Sequence, residues 1–294
     1  MKTLVTGAGG MVGRAVVAHC RSIGDTVVAL DHHALDIGNA EAVDATVNQN
    51  RPDIIINCAA WTNVDGCETD PQHAFSANAS GPENLARASR EINASFLTIS
   101  TDYVFDGHKD GFYTQEDVPR PESIYGMSKL EGELRAQIAY DRSLIVRTGF
   151  IFGKGGTNFL STVVKRRRAG EKLKAISDAY GTPTYATDLA IRLRELIDKN
   201  QPSVYHVVNS GEGVSYEEFA RKALLLAGLP VNELESVKME TLPRPAPRPQ
   251  NSRLKCLFSP RLGLKPLPDW SKALEHFVSA EAAEDAAEDA ALAS

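Results

Sequence analysis

Apolar runs and amphipathic stretches alternate along the first half of the chain. Lys2–Thr6 is a short β-type run that passes straight into a glycine-rich turn. Residues 11–23 then carry apolar side chains at helical spacing, and Thr26–Leu30 is a second strand-like run. A helical stretch at 41–49 leads to Asp53-Ile54-Ile55-Ile56-Asn57-Cys58, nearly all apolar. Such runs belong to parallel sheets covered on both faces. Residues 82–91 predict a helix, 95–99 a buried strand, 128–139 a helix and 143–147 another strand. This alternation predicts an α/β fold, a doubly wound parallel sheet of Rossmann type with right-handed crossovers.

After Phe152 the regularity fades. Helical patterns at 159–169, 187–198 and Tyr216–Leu226 sit between short strands, and 242–249 is rich in proline, predicted as an extended loop. The expected organisation is a dinucleotide-binding domain at 1–152, to which later segments return, and a smaller mixed α/β lobe at 153–278 that mainly binds substrate. An acidic, flexible tail is expected at 279–294. The lobe should face the strand ends, where open sheets bind ligands.

Composition narrows the partners. The 294 residues include 32 Lys and Arg against 38 Asp and Glu, a formal charge of −6, whereas a general nucleic-acid binder carries a basic surplus. Five of the acids fall in 279–294, where almost nothing is apolar enough to dock on a core; a frayed, solvated segment is expected there. No apolar run approaches the ~18 residues that span a bilayer. The N-terminus shows no charged leader or cleavage site, so no membrane and a cytoplasmic location are expected. Cys20, Cys58, Cys67 and Cys256 are scattered without a CxxC pair. They read as reduced thiols, with no disulfide framework and no metal site expected.

Two constellations carry chemistry. Thr6-Gly7-Ala8-Gly9-Gly10-Met11-Val12-Gly13 lies between the first strand and the first helix. Gly7 permits a tight turn, Gly10 lets backbone approach a pyrophosphate, and Gly13 lets helix pack on strand. The helix N-terminus then offers unpaired N–H groups to phosphate. Asp31 closes the second strand, where a carboxylate accepts the ribose hydroxyls of an adenosine half and repels a 2′-phosphate. A protonated His32 or His33 beside it offsets that repulsion, so NADH and NADPH both stay open. Asp36-Ile37 is a candidate adenine contact. The second constellation is Tyr125-Gly126-Met127-Ser128-Lys129, with Tyr and Lys four apart on one helix face. An ammonium near a phenol is expected to lower its pKa, so that Tyr125 gives a proton to a forming alkoxide. Ser100-Thr101-Asp102 follows a predicted strand directly, which places Thr101 to hydrogen-bond the same oxygen.

The glycine turn, Thr101 and Tyr125/Lys129, in that order, resemble the extended short-chain dehydrogenase/reductase family. Finer strings resemble its dTDP-4-dehydrorhamnose reductases: Ala59-Ala60-Trp61-Thr62-Asn63-Val64-Asp65, Ser100-Thr101-Asp102-Tyr103-Val104-Phe105-Asp106-Gly107, Tyr125 through Glu133, and Arg248-Pro249-Gln250-Asn251-Ser252. The likeness runs from Lys2 to about Phe277. Sugar-nucleotide dehydratases of this fold carry Thr-Asp-Glu where this chain has Thr101-Asp102-Tyr103, which argues for plain reduction. The resemblance implies NADPH- or NADH-dependent reduction at C4 of dTDP-4-dehydro-L-rhamnose to dTDP-L-rhamnose, with Tyr125 as proton donor and Lys129 its partner. It implies that Thr101 and Asp102 meet the sugar, Thr101 polarising the carbonyl. Met11, Val12, Asp36, Ile37, Ala60, Trp61 and Thr62 would line the cofactor, and Arg248 and Asn251 would hold the nucleotide half of the substrate.

Two positions depart from the family pattern. Phe150 stands where a tryptophan is usual beside the sugar, keeping an aromatic face without the N–H donor, and Ala179 replaces a glutamine. Two rival readings accompany the resemblance: a non-enzymatic dinucleotide-binding subunit like the regulatory β subunit of methionine adenosyltransferase, and a reductase or epimerase of another nucleotide sugar. A homodimer is left open.

Overall fold

The computed structural model describes the backbone of residues 1–292 and the side chains of residues 1–284. In chain order the first half comprises β1 (Lys2–Thr6), α1 (Met11–Ser22), β2 (Thr26–Leu30), α2 (Ala40–Asn50), β3 (Ile54–Asn57), α3 (Val64–Thr69), α4 (Pro71–Phe75), α5 (Gly81–Glu91), β4 (Ser95–Thr101), α6 (Ile124–Ala139) and β5 (Leu144–Thr148). The second half adds β6 (Ile151–Phe152), α7 (Phe159–Arg168), β7 (Leu173–Ile176), β8 (Tyr180–Gly181), β9 (Thr184–Tyr185), α8 (Ala186–Lys199), β10 (Val204–His206), β11 (Val214–Ser215), α9 (Tyr216–Leu226), β12 (Leu234–Val237) and α10 (Trp270–Leu292).

Six strands form one parallel sheet in the order β10-β5-β4-β3-β1-β2. β1 pairs with β2 on one side and β3 on the other, so the winding reverses there and opens a crevice beyond the strand ends. The isoleucine run of β3 shows why both faces are covered. Ile54 and Ile56 pack with Val16, Val17, Leu189 and Leu193 of α1 and α8, whereas Ile55 faces Val43, Leu85 and Ala136 of α2, α5 and α6. Alternate side chains of an extended strand point to opposite faces, so a strand between two helical layers must be apolar throughout.

A separate apolar cluster lies in the second half. Phe152, Leu160 and Val163 meet Leu173, Phe219, Leu224, Leu274 and Phe277, and none belongs to the six-stranded sheet. Not everything after 152 is in this cluster: α8 packs on α1, and β10 extends the sheet by pairing with β5.

Three differences from the sequence reading matter. The stretch between β3 and α5, given no elements, holds α3, α4 and a π-helical turn at Ser76–Ser80. α6 begins at Ile124, earlier than expected, because Ser123 caps it by accepting a hydrogen bond from Gly126 N. The acidic segment expected as a tail continues α10 to Leu292, in keeping with the helix propensity of its alanines, and residues 293–294 lie outside the described part. No helix among the described residues is long and apolar enough to cross a membrane.

Candidate active site

The glycine turn is built by close contact. Gly7 adopts φ +65°, and a Cβ there would lie 2.6 Å from Ala59 N. At Gly13 a Cβ would fall 2.1 Å from Gly7 O, so no larger residue lets α1 sit against this turn. Gly10 caps α1 without any side-chain hydrogen bond to the helix, leaving the first N–H groups facing the crevice. A polar ladder fixes the adjoining strand ends. Thr6 Oγ1 donates to Asn57 Oδ1 at 2.6 Å, and Asn57 Nδ2 donates to Thr98 Oγ1 at 2.9 Å.

Two adjoining cavities open along these ends. One, of about 580 Å3, is lined by Gly7, Gly10, Asp31, Asp36, Ile37 and Trp61 among others. The other, of about 450 Å3, is lined by Met11, Val12, Gly13, Thr62, Thr101, Asp102, Tyr125, Lys129 and Phe150. Gly10, Cys58 and Ala60 border both. The uncapped helix end and the glycine cradle, joined to an elongated double cavity with a carboxylate at Asp31, fit a dinucleotide whose pyrophosphate lies at α1. The wall at 60–62 is held from behind by Asn78 on the π-helical turn. It accepts from Trp61 N at 2.8 Å and donates to Trp61 O at 3.1 Å and to Ser128 Oγ at 3.0 Å.

At the other end, β4, β5 and α6 bring the reactive groups together. Tyr125 and Lys129 lie one turn apart on α6, both buried. Lys129 Nζ donates to Ile99 O at 2.7 Å, which ties the ammonium to β4. Thr101 lines the same cleft as Tyr125, and its Oγ1 donates to Asp102 Oδ1 at 3.0 Å. Tyr103 stacks edge-on to Tyr125 at 5.8 Å between ring centres and lines the cleft together with Tyr216 at the start of α9. Beneath them, Glu133 on α6 accepts from Ser100 Oγ at 2.5 Å and from Arg147 Nη2 at 2.7 Å, all three buried.

The electrostatics correct one expectation. Burial pushes the Tyr125 phenol up from its ordinary value, Asp102 adds to the rise, and the Thr101 hydrogen bond opposes it. Lys129 is not among the groups that move the Tyr125 phenol; one of its N–H groups donates to Ile99 O. Burial brings Lys129 itself down to about 8, against a pull upward from Glu133. The Asp102 carboxyl, enclosed in the same place, is pushed up to about 6, with hydrogen bonds from Ser252 and Thr101 opposing the rise.

On the substrate side the outcome is mixed. Phe150 has φ +49°, a left-handed backbone unusual for an aromatic residue, and its ring packs on Tyr216 at 4.3 Å. It separates the reaction cleft from a small cavity lined by Ala179, Met239, Arg244, Arg248 and Ser252. Arg248 pairs with Asp65 at 3.0 Å and so ties the proline-rich segment to α3. Asn251 is outside the lining of the three cavities described above. Its amide donates to Lys109 O and Gly111 O, and its carbonyl oxygen accepts from Arg253, so every polar atom is committed to holding loops. The sequence reading also passed over Tyr216 and Asn78, and it placed Ser252 only within the segment expected to hold the nucleotide half of the substrate. For Tyr216 a signal existed: Ser215 and Glu218 form a capping box that starts α9 at that residue.

A family profile described as RmlD substrate binding domain matches residues 1–283. The dTDP-4-dehydrorhamnose reductase of Mycolicibacterium smegmatis is 37% identical over 283 residues, 95% of this chain and 85% of its own. Among solved structures, a dTDP-4-dehydrorhamnose reductase from Clostridium acetobutylicum superposes with a TM-score of 0.90 at 35% identity, covering 95% of this chain and 99% of its own. The reductase of the same name from Bacillus anthracis, in complex with NADP, also reaches a TM-score of 0.90 at 35% identity, over 94% of this chain and 99% of its own.

Proposed function

The chain belongs to the RmlD substrate binding domain family, and from that premise we propose that it is an NAD(P)H-dependent dTDP-4-dehydrorhamnose reductase. It reduces the C4 ketone of dTDP-4-dehydro-L-rhamnose to the alcohol of dTDP-L-rhamnose. The observation that carries the reading is the meeting of Tyr125, Thr101 and Lys129 in a cleft continuous with the glycine cradle.

Bound NADPH or NADH supplies the hydride for C4. The chain's residues do the rest. Gly7, Gly10 and Gly13 admit the pyrophosphate to the start of α1, Asp31, Asp36 and Ile37 receive the adenosine half, and Met11, Val12, Ala60, Trp61 and Thr62 form the walls. Tyr125 gives its proton to the carbonyl oxygen, and Thr101 keeps the phenol aimed there. Lys129, braced by Ile99 O, offers its remaining donors to the nicotinamide ribose. Phe150 and Tyr216 close the sugar end. Arg248 borders the small cavity beyond and faces the nucleotide half of the substrate. The nucleotide-borne substrate and four free thiols support a cytoplasmic location. The two-part organisation, with 153–278 mainly serving substrate, is supported by the separate apolar cluster.

The test is cofactor oxidation with dTDP-, UDP- and GDP-linked 4-keto sugars, each with NADPH and NADH. Turnover confined to the dTDP sugar is expected; equal rates on all three would make the enzyme a broader sugar-nucleotide reductase.

A further inference from the structure

Asp102 lies one residue beyond Thr101 at the end of β4. It lines the cleft but is only 3% exposed. Its carboxyl accepts from the Thr101 hydroxyl, the Ser252 hydroxyl favours its charged form, and space for it is left at Gly149, just after β5, where a Cβ would lie 2.2 Å from the carboxyl carbon. A buried carboxyl bonded to the hydroxyl that acts on the proton donor gives the series Tyr125, Thr101, Asp102 along the wall of one cleft. We propose that Asp102, acting through Thr101, is the proton reserve that recharges Tyr125 after each reduction. This rests on the reductase reading above.

The proton count closes. When Tyr125 gives its proton to the carbinol oxygen, a phenolate remains. With Asp102 protonated the bond between them runs from the carboxyl to Thr101 Oγ1, so Thr101 passes its hydroxyl proton to the phenolate oxygen while its own oxygen takes the proton of the Asp102 carboxyl. One O–H bond forms at Tyr125, one breaks at Asp102, and Thr101 ends unchanged. The Asp102 carboxylate regains a proton from solvent once product leaves, so each turnover takes up one proton.

The surroundings suit this task. Asp102 is raised to about 6, which leaves it able to hold a proton near neutral pH and to release it toward a phenolate. The groups facing it are the hydroxyls of Tyr125 from α6, Tyr216 from α9 and Tyr103 beside it, with Ser252 from the proline-rich strap. The Arg248 guanidinium acts on Tyr103 and Tyr216. No ion pair joins Asp102 to a cation among the described residues, so burial governs it and its proton stays available.

The experiment compares wild type with D102N, D102E and S252A on the keto sugar across pH. In wild type, kcat should fall as pH rises through the titration of Asp102. D102N should lose that limb and about 10–100-fold in kcat, with KM nearly unchanged, and D102E should restore part of the limb. S252A removes a bond that favours the carboxylate, so the limb should move to higher pH. In the free protein, infrared titration should show a buried protonated carboxyl that disappears near pH 6 and is absent from D102N. A D102N enzyme that keeps the limb, loses only in KM, or retains the infrared band overturns the inference while leaving the reductase reading intact. A wild type that ignores the keto sugar overturns both.

Discussion

A phenol enclosed beside a carboxyl releases its proton less readily than one in water, and Tyr125 is so placed, with burial and Asp102 both raising its pKa. It therefore enters the reaction protonated, as an acid must, and the structure gives it no ready phenolate at neutral pH. Tyr125→Phe should lower kcat by about 10²–10⁴-fold while the unfolding midpoint stays within a degree or two, read by steady-state kinetics and thermal denaturation. Lys129 makes a stability prediction. Its folded pKa, about 8, lies below the ordinary lysine value of 10.5, so between those values the unfolded chain binds more protons. Stability should accordingly rise as pH climbs from 8 toward 10.5, and urea midpoints of Lys129→Met should lack that rise.

At the scale of elements, α6 is the part that everything else must position. Glu133 anchors it to the sheet through Ser100 on β4 and Arg147 on β5, a buried pair that leaves a stranded guanidinium if one partner is lost. Glu133→Gln should cost about 3–5 kcal/mol in urea unfolding, and replacing both Glu133 and Arg147 by methionine should recover most of that loss. The elements that could be read from sequence were those with room for a period. The 11 residues of α5 and the isoleucines of β3 announce themselves, whereas α3 and α4 have six and five residues, too few for a hydrophobic repeat. Their caps, Asn63 and Asp70, stood in plain view but mark a helix only once one knows that it exists. The same holds at the site. Tyr125, Lys129 and Thr101 could be placed by spacing and strand ends. Asn78, which props the Trp61 wall, and Asn251, which holds loops, depend on contacts between distant segments that no local pattern encodes.

For the whole molecule, the crevice lies where β1 turns the winding of the sheet, and a second apolar cluster stands across the cleft from it. A ligand that binds only the folded crevice stabilises the fold by mass action. NADPH at 100 times its dissociation constant should add about 2.7 kcal/mol, seen as a raised unfolding midpoint. Gly13→Ala, with its Cβ driven into Gly7 O, should abolish that shift and cost about 1–3 kcal/mol without ligand. The most direct measurement follows a label from cofactor to sugar. NADPH deuterated at the nicotinamide C4, mixed with dTDP-4-dehydro-L-rhamnose and this protein, should yield dTDP-L-rhamnose carrying deuterium at its C4, with Tyr125→Phe slowing the transfer at least 100-fold. Deuterium that stays on the nicotinamide, or a Tyr125→Phe variant that transfers it at the wild-type rate, would contradict the account.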